Sequence, residues 1–251
     1  MSLNLVEVFH SIQGEGKYTG INAIFFRFAG CNLKCPGFNV VKISPKTGEI
    51  LKGCDTIKAV FTSHFNYEKI ECAKTLLSKI PNLDYKPAII ITGGEPLIHH
   101  KNPIFYDFIS EILHQGYEVH FETNGTIEID FKKFPLYKNC IYAISIKLSI
   151  SGETKEKRLN FKALNLLKQN VKECFYKFVI SPSFNPNDEI CEILNAIKNA
   201  KKSDVFCMPL AKNIDELEKN AKFVFNFCLE NGYNYTDRVH IRIFNDKEGV
   251  W

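Results

Sequence analysis

Residues 26–56 read FRFAGCNLKCPGFNVVKISPKTGEILKGCDT and hold three cysteines, with a long gap before the third. Cys31 and Cys35 follow directly after a run typical of a β-strand, NAIFFRF at residues 22–28. The gap contains two short runs, VVKIS and EILKG, around the turn PKTG, a pattern that predicts a hairpin. Because a hairpin returns the chain to the place where it left, Cys54 is predicted to lie near Cys35.

Three thiolates on one loop are typical ligands of zinc or of an iron-sulfur cluster. A structural zinc site usually takes four protein ligands, and His64 and Cys72 lie outside the motif. An iron-sulfur cluster with one iron left open is therefore favoured, while a zinc-stabilised binding module is the non-enzymatic alternative. The other cysteines lie in helix or strand patterns, where we interpret them as small hydrophobic residues: Cys72, Cys140, Cys174, Cys191, Cys207 and Cys228.

The composition is that of an ordinary soluble globular protein. The 251 residues are 45% hydrophobic and 24% charged, and the net charge of +4 is spread along the chain. A spread charge of this size does not favour nucleic acid as a partner. The N-terminus lacks the pattern of a signal peptide, and no apolar run approaches the ~18 residues that span a bilayer. We therefore expect a cytoplasmic protein without a membrane partner.

Short apolar runs alternate with amphipathic helical patterns along the rest of the chain. Several runs are almost continuously apolar, as expected of parallel strands that are covered on both faces. This order predicts an α/β fold, a partial (open) parallel β/α barrel of about six strands. Residues 1–251 are interpreted as one domain, with a small hairpin insertion at residues 36–53 between the cluster ligands. The predicted strands are residues 22–28, 88–92, 117–123, 141–147, 174–180 and 204–210.

Four helices are predicted from apolar stripes and from capping residues. The third begins with Asn185 as its cap and Pro186 as its first helical residue, and the fourth runs from Asn213 to Gly232. The stripes of the first two are Ile70, Ala73, Leu77 and Ile80, and then Ile104, Phe105, Phe108, Ile112 and Leu113.

Polar groups follow four of the predicted strands at the point where each strand ends. AGCNLKC follows the first, GGEP the second and TNG the third, and Ser145 and Lys147 end the fourth. Because ligand sites of parallel α/β folds form at the carboxyl ends of the strands, these groups predict one shared site. Ser145 and Lys147 alternate along their strand, so both side chains can face that site.

Arg27 lies within a strand that is otherwise apolar. A buried arginine requires an anionic partner, which is either the carboxylate of a substrate or a structural salt bridge. GGEP lets the backbone approach a ligand closely and offers the Glu95 carboxylate, but it also fits a strand-to-helix turn at Pro96. TNG likewise fits a simple Asn-Gly turn.

The order of the motifs resembles a known family. CNLKC followed by CDT resembles the radical S-adenosylmethionine (SAM) signature CxxxCxxC, whose three cysteines bind a 4Fe-4S cluster. Phe38 stands where the third cysteine is expected, and Cys54 resembles a displaced third ligand. Over nearly the whole chain the ordered set resembles the 7-carboxy-7-deazaguanine synthase family. The set is VEVFHSIQGEGKYTG, FFRFAGCNLKC, CDT, ITGGEPL, FETNGT, SIK, VFCMP and RVHIRIFNDKEGVW.

The resemblance implies a radical SAM lyase that converts 6-carboxy-5,6,7,8-tetrahydropterin to 7-carboxy-7-deazaguanine with loss of ammonia, in queuosine and 7-deazapurine biosynthesis. It implies a 4Fe-4S cluster, S-adenosyl-L-methionine and Mg²⁺ as cofactors. It also implies a homodimer and a reductant such as flavodoxin or ferredoxin. A radical SAM activase that acts on a partner protein is the alternative enzyme.

The resemblance also assigns site residues. It implies Thr56 as a ligand of Mg²⁺, and it places Met208 where the family often has a glutamine that can donate a hydrogen bond to SAM. The implied cluster ligands are Cys31, Cys35 and Cys54. The implied substrate contacts are Ile12, Gln13, Gly14, Glu15, Arg27, Thr92, Glu122, His240 and Trp251. The implied SAM contacts are Gly53, Cys54, Asp55, Gly94, Glu95, Asn124, Ser145, Lys147 and Met208.

Overall fold

In the computed structural model, which describes residues 2–245 and 247, nine strands form one large sheet and two more form a separate hairpin. The order across the large sheet is β11-β10-β9-β8-β7-β6-β2-β1-β5. The strands are β1 (Leu3–Ile12), β2 (Asn22–Phe28), β3 (Val40–Ile43), β4 (Ile50–Gly53), β5 (Glu68–Ile70), β6 (Ala88–Gly93), β7 (Val119–Thr123), β8 (Ile141–Ser145), β9 (Glu173–Ile180), β10 (Val205–Pro209) and β11 (Asn234–Tyr235).

Strand β2 and strands β6 to β11 run parallel and follow one another across the sheet in chain order. Because the strand order does not reverse within this run, the carboxyl ends of these strands lie along one edge of the sheet. This is the open parallel β/α barrel that the sequence predicts. Strands β1 and β5 extend the sheet beyond β2, each in antiparallel pairing.

The six predicted strands are confirmed, with small shifts at their ends. The sequence does not predict β1, β5 or β11. The last two have only three and two residues, which is too short for a period to be recognised. In β1, Leu3 and Leu5 are buried, but polar residues interrupt the pattern further along. The motif QGEG at residues 13–16 therefore lies between β1 and β2.

The predicted hairpin is confirmed. Strands β3 and β4 pair antiparallel, with Val40 opposite Gly53. They lie between Cys35 and Cys54 in the chain, so the long gap in the cysteine motif is folded back on itself. The interpretation of residues 36–53 as an insertion into a single domain stays a prediction.

Eight α-helices and five short 3-10 segments occur in the described part of the chain. The helices are α1 (Ile57–Val60), α2 (Ala73–Leu77), α3 (Pro103–His114), α4 (Lys155–Arg158), α5 (Phe161–Asn170), α6 (Asn187–Ala196), α7 (Ile214–Asn231) and α8 (Val239–Phe244). The 3-10 segments are Pro36–Phe38, Pro96–His99, Pro135–Asn139, Ser149–Ser151 and Lys202–Asp204. None of these described helices has both the length and the apolar character that a membrane crossing requires.

Of the predicted helices, α3 and α7 are confirmed. The third is confirmed as α6, but it begins at Asn187, because Pro186 occupies the capping position. The first is wrong at both ends: Ile70 belongs to β5, where it pairs with Leu3, and the helix runs only from Ala73 to Leu77, so Ile80 lies beyond it. Helix α5 is not predicted from the sequence.

The alternation of side chains along the strands separates the core from the site. Phe121 of β7 packs in the large core between the sheet and the helices, and its neighbour Glu122 points to the other face. Lys177 of β9 likewise lies on that other face, between the core residues Tyr176 and Phe178. Burying a large side chain contributes about 1.5–3 kcal/mol to stability. The helix-covered face of the sheet therefore contributes to stability, while polar side chains on the opposite face line the cavity.

Candidate active site

A cavity of about 390 Å³ opens at the carboxyl ends of the parallel strands. Its walls come from strand ends, from the hairpin and from α8. Two residues that the sequence assigns to SAM, Gly53 and Glu95, do not line it, and Trp251 lies outside the described residues. The assigned residues that line it are Ile12, Gln13, Gly14, Glu15, Arg27, Cys31, Cys35, Cys54, Asp55, Thr56, Thr92, Gly94, Glu122, Asn124, Ser145, Lys147, Met208 and His240.

Cys31, Cys35 and Cys54 line one part of the cavity, which we call the cluster end. All three are free thiols, and burial raises the pKa of Cys31 and of Cys35 to about 12. Thiolates at this place would therefore need a cation beside them, which the iron of a cluster would supply. In the described chain, no group of three or more His, Cys, Asp or Glu side chains is placed to hold a single metal ion. A 4Fe-4S cluster with one open iron takes three thiolates, which is the number of cysteines at this end, whereas a structural zinc ion usually takes four protein ligands.

Hydrogen bonds to the backbone hold the loop that carries the first two cysteines. Oε1 of Glu153 accepts from the N–H of Lys34 at 2.6 Å and from the N–H of Cys35 at 2.8 Å. The N–H of Leu33 donates to Sγ of Cys31 at 3.4 Å. Cys35 has a φ of 50°, in the left-handed region that residues other than glycine rarely adopt. The Glu153 carboxylate therefore fixes a strained turn at one of the predicted cluster ligands.

The two glycines of GGEP let β6 end directly against this loop. Gly93 has a φ of 150°, and a Cβ atom there would lie 2.1 Å from the carbonyl oxygen of Phe28. A Cβ atom at Gly94 would lie 2.4 Å from the carbonyl oxygen of Gly30 and 2.6 Å from Cβ of Cys31. A larger residue at Gly94 would therefore displace the cluster end.

Glu95 is fully buried behind the cavity wall. Its Oε1 accepts from the N–H of Leu97 at 3.0 Å and from Oγ1 of Thr123 at 2.7 Å, and its Oε2 accepts from the N–H of Asn124 at 2.6 Å. Burial raises the pKa of Glu95 to about 7, against the effect of these donors. Glu95 therefore caps the turn at Pro96 and holds the backbone of Asn124. The contact between Glu95 and SAM that the resemblance implies stays a prediction.

The wall between these elements combines polar and apolar groups. Nδ2 of Asn124 donates to Oδ1 of Asn32 at 2.9 Å, which orients the amide within the Asn-Gly turn. Nζ of Lys147 donates to Oγ of Ser145 at 2.8 Å, so these two side chains meet although β8 already ends at Ser145. Met208 is buried on the same cavity and offers a thioether, which has no hydrogen to donate.

Glu15, Glu122, Lys177 and Arg238 form a second part of the cavity, which we call the charged end. Nζ of Lys177 donates to Oε2 of Glu15 at 3.0 Å and to Oε1 of Glu122 at 3.3 Å. Nε of Arg238 donates to Oε1 of Glu15 at 3.0 Å. Nε2 of Gln13 donates to Oε1 of Glu122 at 3.2 Å. Five residues from distant parts of the chain thus form one connected network.

The network keeps its acids ionised. Burial raises the pKa of Glu15, but the charges of Lys177, Arg238 and His240 outweigh this effect and hold its pKa well below the usual range. The pKa of Glu122 is lowered in the same way, with Lys177 as the main opposing charge to burial. Both carboxylates are therefore charged at neutral pH and can accept N–H hydrogen bonds from a ligand.

Lys177 and Arg238 are not among the residues that the sequence assigns to the site. Lys177 interrupts the apolar strand CFYKFVI in the same way that Arg27 interrupts IFFRF, so the same signal could have identified it. Arg238 lies in the polar stretch YTDRVH, where nothing distinguishes it from a surface residue.

Arg27 has a partner within the protein. Its Nε donates to Oε1 of Glu7 at 2.8 Å, and its guanidinium lies 5.8 Å from the ring centre of Phe9. The register of β1 against β2 places Glu7 directly opposite Arg27, which explains the pair. The structural salt bridge is therefore present, and because β1 is not predicted, its anion could not be identified from the sequence. Arg27 still lines the cavity.

Asp55 and Thr56 lie between the two parts of the cavity. Oδ2 of Asp55 accepts from Nη2 of Arg238 at 2.9 Å. Oγ1 of Thr56 lies 3.1 Å from Sγ of Cys54. Arg238 thus connects Glu15 of the charged end to the residue that follows the third cysteine.

His240 reaches the charged end from the first turn of α8. Its Nε2 lies 3.8 Å from Oε1 of Glu15, and burial lowers the pKa of the ring. The N–H of Val239 donates to the carbonyl oxygen of Gly14 at 3.1 Å, and a Cβ atom at Gly14 would lie 2.9 Å from Nδ1 of His240. The absence of a side chain at Gly14 therefore allows His240 of α8 to pack against the QGEG segment.

Comparisons with known proteins agree with this geometry. The profile of a family described as "4Fe-4S single cluster domain" matches residues 12–168. The chain is 28% identical to a 7-carboxy-7-deazaguanine synthase of Halobacterium salinarum, over 98% of this chain and 91% of that protein. It is 29% identical to a protein of the same name from Clostridium acetobutylicum, over the full length of both. Its fold is similar to the crystal structure of QueE from Escherichia coli, with a TM-score of 0.65, 20% identity and 94% coverage of each chain.

Proposed function

This chain belongs to the 4Fe-4S single cluster domain family, and on that premise we propose that it is a radical SAM lyase, a 7-carboxy-7-deazaguanine synthase. It converts 6-carboxy-5,6,7,8-tetrahydropterin to 7-carboxy-7-deazaguanine with loss of ammonia, in queuosine and 7-deazapurine biosynthesis. The similarity to proteins of that name extends over the whole chain. The observation that carries the proposal is that one cavity joins the cluster end to the charged end.

The cluster end fits a 4Fe-4S cluster, with Cys31, Cys35 and Cys54 as its ligands. When bound, the cluster and SAM together supply the radical that removes one hydrogen atom from the substrate. Gly94, which packs against the loop of Cys31, is also proposed to contact SAM. The other residues proposed to hold SAM on the cavity wall are Asp55, Asn124, Ser145, Lys147 and Met208. Gly53 and Glu95 do not line the cavity and are kept as proposed SAM contacts from the family resemblance; Glu95 also holds the backbone of Asn124.

The charged end is proposed to bind the ring of the substrate. The amino group and ring N–H of a pterin are hydrogen-bond donors, and the ionised carboxylates of Glu15 and Glu122 are acceptors. Gln13 adds an amide, and Thr92 donates from its Oγ1 to Oε2 of Glu122 at 2.9 Å, which fixes that acid. Ile12 and Gly14 complete this part of the wall. A ring held in this way presents one C–H bond toward the cluster end.

The carboxylate of the substrate needs cationic or N–H partners. Arg27 binds Glu7 through Nε, so its two Nη atoms are the donors it can offer. His240 lies on the same cavity, and Trp251 is kept as a proposed contact from the family resemblance. Mg²⁺ is proposed at Thr56, where one hydroxyl would act together with substrate oxygens and water.

We propose that the protein is a cytoplasmic homodimer and that its reductant is a protein such as flavodoxin or ferredoxin. Its substrate is a small molecule, so neither nucleic acid nor a membrane is proposed as a partner. Residues 1–251 are proposed to form one radical SAM domain, with residues 36–53 as a hairpin inserted between the second and third cluster ligands.

A turnover assay tests the proposal. The protein is purified and reconstituted without oxygen, and it is supplied with SAM, Mg²⁺, dithionite and 6-carboxytetrahydropterin. Formation of 7-carboxy-7-deazaguanine is the expected result, with no product when SAM is omitted or when Cys31 is changed to alanine. A reconstituted enzyme that carries its cluster but makes no product under these conditions would overturn the assignment.

A further inference from the structure

Lys177 is the least expected residue of the cavity, because it is a lysine at the centre of an apolar strand with a side chain only 4% exposed. Its ammonium group contacts two carboxylates that come from different elements, Glu15 after β1 and Glu122 on β7. A buried lysine is unfavourable unless its charge is paired. The two carboxylates therefore stabilise the buried ammonium group of Lys177, and both of them accept hydrogen bonds from it.

We propose that Lys177 is a positioning residue, which holds Glu15 and Glu122 together as a paired acceptor for the N–H edge of a flat 2-aminopyrimidinone ring. This inference rests on the proposed function, because it concerns how the same cavity recognises the same substrate. Lys177 need not touch the ring itself.

The remaining hydrogen bonds of the two acids show why one cation must serve both. Oε1 of Glu15 already accepts from Arg238, and Oε2 of Glu122 already accepts from Thr92. The other oxygens, Oε2 of Glu15 and Oε1 of Glu122, both accept from Lys177, and Oε1 of Glu122 also accepts from Nε2 of Gln13 at 3.2 Å. The lysine thus sets the separation of the two acids, and Oε2 of Glu15 and Oε2 of Glu122 each keep acceptor capacity for a ligand.

Among the described residues, Lys177 is the cation that forms an ion pair with Glu122. Arg238 is committed to Glu15, to Asp55 and to the carbonyl oxygen of Ala211. The other charged or titratable groups around the two acids are His240 beside Glu15, Asp55 beyond Arg238, and Arg27 and His120 near Glu122. Arg27 donates to Glu7 instead.

Removal of the lysine should leave two buried like charges side by side. Glu15 keeps Arg238, but Glu122 loses the main charge that opposes burial, so its pKa rises and it takes up a proton near neutral pH. A protonated acid is a poorer acceptor for the ring N–H groups, so ligand affinity should fall. Because the acid loses this proton as the pH rises, affinity should recover at higher pH.

The test measures binding of 7-carboxy-7-deazaguanine, which keeps the 2-aminopyrimidinone edge, to cluster-loaded enzyme with SAM at several pH values from 6 to 9. Wild-type affinity should change less than about threefold across this range. Lys177→Met should weaken binding roughly a hundredfold at pH 6 to 7 and recover at least tenfold by pH 9. Lys177→Arg, which keeps the charge, should restore most of the affinity at neutral pH.

Lys168→Met is the matched control. Lys168 also forms a partly buried ion pair, with Asp204 at 2.7 Å, but it lies outside the cavity, so its loss should leave affinity and pH dependence unchanged. If Lys177→Met does not fold, Lys177→Gln replaces it, since glutamine keeps an N–H donor without the charge. Its binding should likewise be weak at pH 6 to 7 and recover by pH 9.

Two results would overturn the inference. One is affinity of the charge-free variant within about threefold of wild type at every pH. The other is an equal loss at every pH that Lys177→Arg does not restore, since that would indicate a structural role only. A wild-type enzyme that neither binds this compound nor makes it would instead contradict the proposed function, so the two failures are distinguishable.

Discussion

The two parts of the cavity are built by different means. At the cluster end, most of the contacts involve backbone groups. The amides of Lys34 and Cys35 donate to the Glu153 carboxylate, and Gly94 packs against the loop through its backbone. At the charged end, side chains hold one another, and Lys177 contacts a carboxylate that is 162 residues away in sequence. The first part shapes a loop for a metal cluster, and the second forms a hydrogen-bonding surface from charges.

The two parts of the cavity differ in how far they depend on bound ligands. The thiols of the cluster end have raised pKa values, so this part is completed only when iron lowers them. The acids of the charged end already have their cations, so this part is formed by the protein alone. Changes at one end should therefore affect the other only weakly.

The largest effect is expected at the three cysteines. Changing Cys31, Cys35 or Cys54 to alanine should reduce the iron content from about four atoms per chain to nearly none after reconstitution, because each removes a ligand that no neighbour replaces. Iron analysis and the brown absorbance measure this. Cys72→Ala is the control, since that thiol is exposed and outside the cavity. Full iron content in Cys54→Ala would show that the hairpin does not carry the third ligand.

A change at the charged end should separate substrate recognition from the cluster. Glu122→Gln removes a charged acceptor but keeps the size, so kcat/KM for the pterin should fall roughly a hundredfold while the iron content stays at the wild-type value. Steady-state kinetics and iron analysis check this. Glu118→Gln, on a half-exposed acid outside the cavity, should leave both unchanged. Loss of iron in Glu122→Gln would mean that the two ends are not independent.

Glu153 offers a milder way to disturb the cluster end alone. Glu153→Ala leaves two backbone amides without their acceptor, which costs about 1–3 kcal/mol of loop stability. Iron should be lost to a chelator roughly tenfold faster, while pterin affinity stays within about twofold. Glu156→Ala, on α4 nearby, is the control. An unchanged rate of iron loss would show that Glu153 does not hold the loop.

The smallest effect is expected at Met208, on the wall proposed for SAM. Met208→Gln introduces an N–H donor in place of a thioether, and one added hydrogen bond contributes about 1 kcal/mol. SAM should bind about threefold to fivefold more tightly, as measured by equilibrium binding, with pterin affinity unchanged. Cys207→Ser, on the same strand but facing the core, is the control for changes in β10. Unchanged SAM binding in Met208→Gln would place this residue away from SAM.

The contrast between the two ends also explains what the sequence can predict. The cluster end lies largely within residues 26–56, and its hairpin is predicted from local runs and a turn. The charged end depends on pairings across the whole sheet. Lys177 carries a recognisable signal in its apolar strand, but its partners do not. The partner of Arg27 could not be predicted for the same reason, because Glu7 lies on β1, which the sequence does not predict.

The most direct test of the two-part account is the affinity of the cluster-free Cys31→Ala protein for the product, 7-carboxy-7-deazaguanine. Binding of 7-carboxy-7-deazaguanine is measured for this variant and for wild-type protein without iron or SAM, so that only the side chain differs. The account predicts affinities within about threefold of each other, because the charged end is formed without the cluster, and a loss of more than tenfold on introducing Glu122→Gln into either protein. A Cys31→Ala protein that is folded but no longer binds the compound would contradict the account.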